Sequence, residues 1–231
     1  MTQSPLSVLW SVAGGCGVTT VVVAAAAGAS PAEPVLIVDV DGAVAPVLGV
    51  ARAPLGLYDW LAAERPPADA FARLVEIHGA VALLGPGLRA LGADREVDQW
   101  APGRLDELVR SLRRNGRRVL VDAGSQPWRH PLARALVDHA DASYLVTRLG
   151  RPEFDVVTEP SVSESVAAHV DGVIAIVEPG RVLTARDLGR VVGTTTTLSV
   201  PWDPAVAAAV DAGSLTRRCP RALRAVRRFV R

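Results

Sequence analysis

The chain has 231 residues, of which 49% are hydrophobic and only 4% aromatic, and it carries a net charge of +1. That apolar fraction excludes a disordered chain, and the length allows one well-buried core filled mainly by Val, Ala and Leu. The near-balanced charge excludes a strong overall case for nucleic acid or membrane binding.

Leu6–Val12 reads as a first apolar strand, Ala13–Val18 as a glycine-rich turn and Thr19–Ala29 as a buried helix. The run VTTVVVAAAAGA (18–29) resembles the apolar core of a signal peptide but has no positive charge before it, and it is too short for a membrane span. A proline loop follows, then the strand Val35–Val38, which ends at Asp39 and Asp41. Residues 42–70 are punctuated by Gly and Pro around a short helix near Leu57–Ala63, Ala80–Leu84 is a strand, and Pro86–Trp100 is a loop. The helix Arg104–Asn115 stops at Gly116 and leads into the strand Arg118–Val121 and Asp122. The remaining predicted helices are Pro131–His139, Pro160–Val170, Ala185–Val192, Ala205–Ala212 and Arg221–Val230. Strands lie between them at Ala142–Thr147, Gly172–Val177 and Thr195–Val200.

About seven short, unbroken apolar strands alternating with helices predict an α/β fold, with a doubly wound, mostly parallel sheet covered by helices on both faces. No internal repeat is visible and no linker is long enough to divide the chain. Residues 1–231 are therefore read as a single domain, ending in a basic helix at about 220–231.

Between the first strand and the first helix stand Gly14, Gly15, Cys16, Gly17, Val18, Thr19 and Thr20. Glycines let backbone N–H groups approach an anion at a helix start, where the helix dipole favours negative charge. A hydroxyl at the end of such a loop, here Thr19 or Thr20, can coordinate magnesium. Asp39, Asp41 and Asp122 end buried strands, and in an open parallel sheet the carboxyl ends of strands face the ligand crevice. Each feature also has a purely structural reading. The glycines can be only a tight turn, Asp39 and Asp41 can cap the turn after their strand, and Asp122 can bond N–H groups of the turn through Gly124. Cys16 reads as a small buried filler. Cys16 and Cys219 are too far apart in sequence for a disulfide framework, as in a reduced cytosolic protein. His78, His130, His139 and His169 show no metal spacing, and the five tryptophans read as core or rim packing.

SVAGGCGVTT followed by VLIVDVDG and RRVLVDAGSQP resembles the MinD/ParA family of P-loop ATPases. That family has a glycine-rich phosphate loop with two lysines, an acid pair on the next strand and an Asp ending a later one. VPWDPAVAAAVDAG (200–213) resembles the family's segment that borders the adenine. The resemblance runs through nearly the whole chain and is nearest to the atypical branch of CpaE-like, TadZ-like and actinobacterial septum-site-determining proteins. It implies ATP or ADP with magnesium as cofactors. The nucleotide would be held by residues Gly14, Gly15, Cys16, Gly17, Val18, Thr19 and Thr20 together with Pro201 and Asp203. Thr19, Asp41 and Asp122 would hold the metal, and Asp39, Asp41 and Asp122 would be catalytic in an active enzyme.

The departures matter as much. All 25 basic side chains are arginine, so lysine is absent. The family's phosphate-binding lysine falls on Val18, and its other signature lysine falls on Ala13. Without that charge on the β/γ-phosphates, phosphoryl transfer loses a main electrostatic contribution. An arginine such as Arg52, or one from a partner, is the remaining substitute. The asparagine near the base is also missing, since that strand ends in Glu178.

The last fifteen residues hold Arg217, Arg218, Arg221, Arg224, Arg227, Arg228 and Arg231 with no acid. Ala222, Leu223, Val226, Phe229 and Val230 recur there at helical spacing. Such a helix can lie on an anionic membrane or an acidic partner, or its apolar face can pack on the sheet.

The resemblance implies a MinD/ParA-like positioning or scaffolding protein with a degenerate phosphate loop, a weak nucleotide binder or pseudo-ATPase in septum-site, pilus/secretion or partition machinery. It would be a cytoplasmic homodimer with protein partners, peripheral at the inner membrane face through 217–231, without specific nucleic-acid binding. One alternative is an active nucleotide-switched ATPase of the same superfamily. Another is an unrelated magnesium-dependent phosphate-handling enzyme built on Asp39, Asp41 and Asp122.

Overall fold

A computed structural model describes residues 3–88, 100–194 and 196–229. Strand β1 (Leu6–Ser11) turns into α1 (Val18–Ala26), and β2 (Val35–Asp39) follows. Helices α2 (Val44–Leu48), α3 (Leu57–Ala62) and α4 (Ala70–Leu74) precede β3 (Glu76–His78) and β4 (Val81–Leu84). Next come α5 (Arg104–Arg114), β5 (Arg118–Ser125), α6 (Pro131–Asp138), β6 (Ala142–Arg148), α7 (Arg151–Thr158), α8 (Pro160–His169) and β7 (Gly172–Val177). The chain continues through α9 (Ala185–Val192), β8 (Thr196–Pro201), α10 (Pro204–Asp211) and, after a 3₁₀ turn, α11 (Arg224–Phe229).

The eight strands form one sheet in the order β3-β4-β2-β5-β1-β6-β7-β8. Every pairing is parallel except β3 with β4. Alternate strand residues enter two cores, one on each face. Leu6, Val8, Trp10, Val38 and Val121 pack with α3, α5, α6 and α7–α9. Leu9, Ile37, Leu120, Val146 and Ile174 pack with α1, α2, α10 and α11. Helix α1 is apolar nearly all round because it is sandwiched, with Val18, Val21–Val23 and Ala24–Ala26 all buried. Backbones of the α2 and α10 ends meet closely: a Cβ on Gly49, whose φ is +71°, would fall 2.3 Å from the Gly213 carbonyl oxygen. Only glycine allows that approach at that φ.

All seven predicted strands are present; where their ends are described, six agree within a residue, and β5 runs on past Asp122 to Ser125. Strand β3 is additional: three residues with Ile77 exposed carry no apolar run. Helices α2, α4 and α7 are also additional. The first two are five-residue helices, and Pro46 interrupts the α2 pattern. Within the predicted loop at 86–100, residues 89–99 lie outside the described residues.

The basic C-terminal segment packs on the fold. Leu223 and Val226 are buried beside α1. The Arg227 guanidinium donates to the Ala27 carbonyl at 2.9 Å, placing a cation at the C-terminus of α1, where the helix dipole favours it. Arg217, Arg218, Arg221, Arg224 and Arg227 are exposed. No helix among the described residues is long and apolar enough to cross a membrane.

Leu223→Ala should leave a cavity in this core and cost about 3 kcal/mol in urea denaturation. A loss below about 1 kcal/mol would mean the segment is not docked in solution.

Candidate functional site

The loop after β1 is braced from β5. The Ser11 hydroxyl donates to the Ala13 carbonyl at 2.7 Å, and the Gln126 side-chain amide donates to the Val12 carbonyl at 3.0 Å. Gln126 itself has a left-handed φ of +52°, the one non-glycine residue among those described to do so. Gly15 and Gly17 are left-handed at φ +77° and +92°. No side chain caps the first turn of α1, and no acid stands in it. A Cβ built on Gly14 or Gly15 meets nothing within 4 Å. The loop therefore presents an open, uncapped helix start of the kind that suits an anion.

Beside it, at the carboxyl ends of β1 and β6–β8, is a cavity of about 320 Å³. Gly15, Cys16, Gly17 and Thr20 line one part; Pro201, Trp202, Asp203 and Val206 line another, with Arg148 and Ile176 from β6 and β7. Asp203 caps α10, accepting from the Ala205 N–H at 2.9 Å, and Trp202 is half exposed at the cavity. Cys16 is buried, and burial pushes its thiol pKa up.

The acids gather on the α1 face. Asp39 and Asp122 are direct partners in the parallel pairing of β2 with β5. Asp39 is fully buried and accepts backbone N–H bonds from Gly42 (2.7 Å), Ala43 (3.3 Å) and Val44 (2.9 Å), so both its oxygens anchor the turn after β2. Asp41 is exposed and lies over Gly124, where an added Cβ would meet its carboxylate at 1.8 Å. Asp122 accepts from the Gly124 N–H at 3.1 Å through one oxygen, while the other, Oδ2, is buried with no hydrogen-bond partner. Burial, with the Asp39 and Asp41 charges adding, raises the Asp122 pKa to about 7 against the opposing pull of the Thr19 hydroxyl and the Gly124 N–H. Burial also raises Asp39, against its three N–H donors. Among the described residues, no three or more His, Cys, Asp or Glu are placed to hold a metal ion by themselves.

The residues singled out in the sequence thus fall in two adjoining groups. Gly15, Cys16, Gly17, Thr20, Pro201 and Asp203 share the cavity; Thr19, Asp39, Asp41 and Asp122 form the acid cluster. Gly14 flanks the loop. Val18 opens α1 at 6% exposure and belongs to the apolar core. Arg52 donates to the Gly42 carbonyl at 3.2 Å, on the acid side and outside the residues lining the loop cavity. Sequence reasoning missed Arg148, Trp202 and Gln126 as site residues. Arg148 ends a parallel strand, a position whose rule was applied to the aspartates but not to arginine.

No protein-family model matches the chain, and no curated protein matches it. Solved structures do. The septum site-determining protein MinD complexed with Mg-ADP from Pyrococcus horikoshii is 19% identical, with 98% of this chain and 94% of that chain covered and a TM-score of 0.72. A ParA family ATPase from Chlorobium tepidum is 18% identical, with 98% and 96% covered and a TM-score of 0.74. The MinC:MinD cell division complex of Aquifex aeolicus gives 17% identity, 97% and 93% coverage and a TM-score of 0.71. At these identities the likeness is one of fold. The predicted fold class is borne out: the mostly parallel sheet with helices on both faces is that of the MinD/ParA P-loop proteins.

A carboxyl with a raised folded-state pKa is protonated on folding between its unfolded value, near 4, and about 7. Stability from Asp122 therefore falls as pH rises through that window. Asp122→Asn should flatten the pH dependence and raise stability at pH 8, by at most about 4 kcal/mol, in urea melts from pH 5 to pH 8. An unchanged slope would contradict this burial account.

Proposed function

We propose that this protein is a MinD/ParA-like positioning or scaffolding protein of the CpaE/TadZ-like branch. It binds nucleotide weakly at a degenerate phosphate loop and acts through partners, as a pseudo-ATPase in septum-site, pilus/secretion or partition machinery. The observation that carries this reading is the pairing of an open glycine loop and cavity with a lysine position filled by buried Val18.

The residues fit a nucleotide in kind. Backbone N–H groups of Gly14–Thr20 would take the phosphates, and Trp202, Pro201 and Val206 offer an apolar wall for a base. The orphaned Asp122 oxygen, the Thr19 hydroxyl and exposed Asp41 offer oxygen donors suited to magnesium, which would supply charge neutralisation between phosphates and acids. Residues 1–231 act as one domain in this proposal. It takes the protein to be a cytoplasmic homodimer. MinD of Aquifex aeolicus, whose complex with MinC has this fold, supports protein partners as the class of ligand. The exposed arginines of 217–227 suit an acidic partner or an anionic surface at the inner membrane face by charge alone, because Leu223 and Val226 are packed inside.

Retention of Thr19 beside Asp122 favours, as a second reading, an active nucleotide-switched ATPase that draws its cation from elsewhere. The phosphatase-like reading is not favoured, since Asp39 has both oxygens committed to backbone N–H groups.

The test is titration with a fluorescent ATP analogue plus magnesium, on the wild type and on Gly15→Asp, paired with phosphate-release measurements. Aspartate tolerates the left-handed conformation better than most residues and has room at position 15, but places a negative charge in the cavity. Expected are saturable wild-type binding, at least a tenfold loss in the variant and phosphate release no faster than buffer. No binding at millimolar nucleotide would reject the reading. Release that scales with protein and is lost in Gly15→Asp would establish the active ATPase instead.

A further inference from the structure

A phosphate chain seated at this loop would lie beside three carboxyl groups and without a lysine, so its charge needs a cation from another element. Among the described residues, Arg148 is the one basic residue lining the cavity, and the other charged lining residues are Asp203 and Asp211. It ends β6, and that strand end adjoins the loop: the Thr147 side chain and the Arg148 backbone lie close enough to the Cys16 thiol to oppose the effect of burial on its pKa. The Arg148 side chain is 37% exposed, within reach of an entering ligand.

Its present partner is Glu178, in the turn between β7 and α9. Glu178 is shared: Arg181 also pairs with it, its Nε donating at 2.8 Å. Two guanidinium groups thus face one carboxylate, so Glu178 keeps a cationic partner when either of them leaves. Partial burial works to raise the Glu178 pKa, but hydrogen bonds from Arg181 and Arg148 hold it below the ordinary range, so it stays ionised at neutral pH. If Arg148 swings to an anion, Arg181 keeps Glu178 neutralised, and the exchange strands no charge.

We propose that Arg148 is the phosphate-contacting cation of this chain, latched by Glu178 in the free protein and released to the phosphates of a bound nucleoside di- or triphosphate. A guanidinium is well matched to phosphate oxygens, which it can grip through two parallel N–H donors. Glu178 acts as a built-in competitor for that cation, and so sets the affinity of the loop. The assignment rests on the nucleotide-binding reading above.

The experiment is fluorescence anisotropy of a fluorescent ADP analogue with magnesium, on the wild type, Arg148→Ala, Glu178→Gln and the double variant. Arg148→Ala should weaken binding at least tenfold. Glu178→Gln should tighten it threefold or more, because the latch is gone, and should give no gain when Arg148 is already absent. Thermal melts check folding, and the gain in Glu178→Gln is an effect that unfolding cannot mimic. Wild-type binding with Arg148→Ala unchanged overturns the Arg148 assignment and leaves the nucleotide reading standing. A gain from Glu178→Gln that persists in the double variant overturns the latch. No wild-type binding rejects both.

Discussion

The parallel pairing of β1 between β5 and β6 sets the geometry of the site. Strand β1 is paired on both edges, and the chain leaves its carboxyl end through the left-handed glycines into α1. Strand order reverses there, with β5 and β2 to one side and β6, β7 and β8 to the other. The crevice at such a reversal is where ligands of open α/β sheets bind. It divides here into an acid side, from β2 and β5, and a cavity side, from β6 to β8, with the glycine loop between them.

Charge decides what this crevice can do. The acid side holds Asp39 and Asp122 as adjacent buried carboxyl groups, and at least one is costly to ionise. In a phosphate site, cations would normally relieve that cost. Val18, at the start of α1, is part of the hydrophobic core against the sheet and supplies no such cation. The cation that lines the cavity side is Arg148, which shares Glu178 with Arg181. A charge on that side can raise affinity for phosphates.

Much of this was legible in the sequence because it rests on unbroken apolar runs. VLIV and VLVD mark buried parallel strands, and the apolar 18–26 segment marks a helix sandwiched against the sheet. The glycine loop and the three aspartates were legible for the same reason, since their position at strand ends follows from the strands. Elements whose stability comes from tertiary contacts were not legible. Strand β3 exists by pairing with β4, and α2 owes its place to core packing and to the Gly49–Gly213 approach. The split role of the aspartates was also hidden: nothing in VDVDG distinguishes Asp39, committed to three N–H groups, from exposed Asp41. Arg148 and Glu178 are thirty residues apart, and only the pairing of β6 with β7 brings them together.

The central claim is that the glycine loop and the segment after β8 form one nucleotide site. Hydrogen–deuterium exchange with and without millimolar Mg-ADP tests it most directly. The account predicts slower exchange in two separated stretches, 14–21 and 202–211, with little change in the strands of the β3–β4 edge. Unchanged exchange in both stretches, or protection confined to the arginine-rich segment, would contradict it.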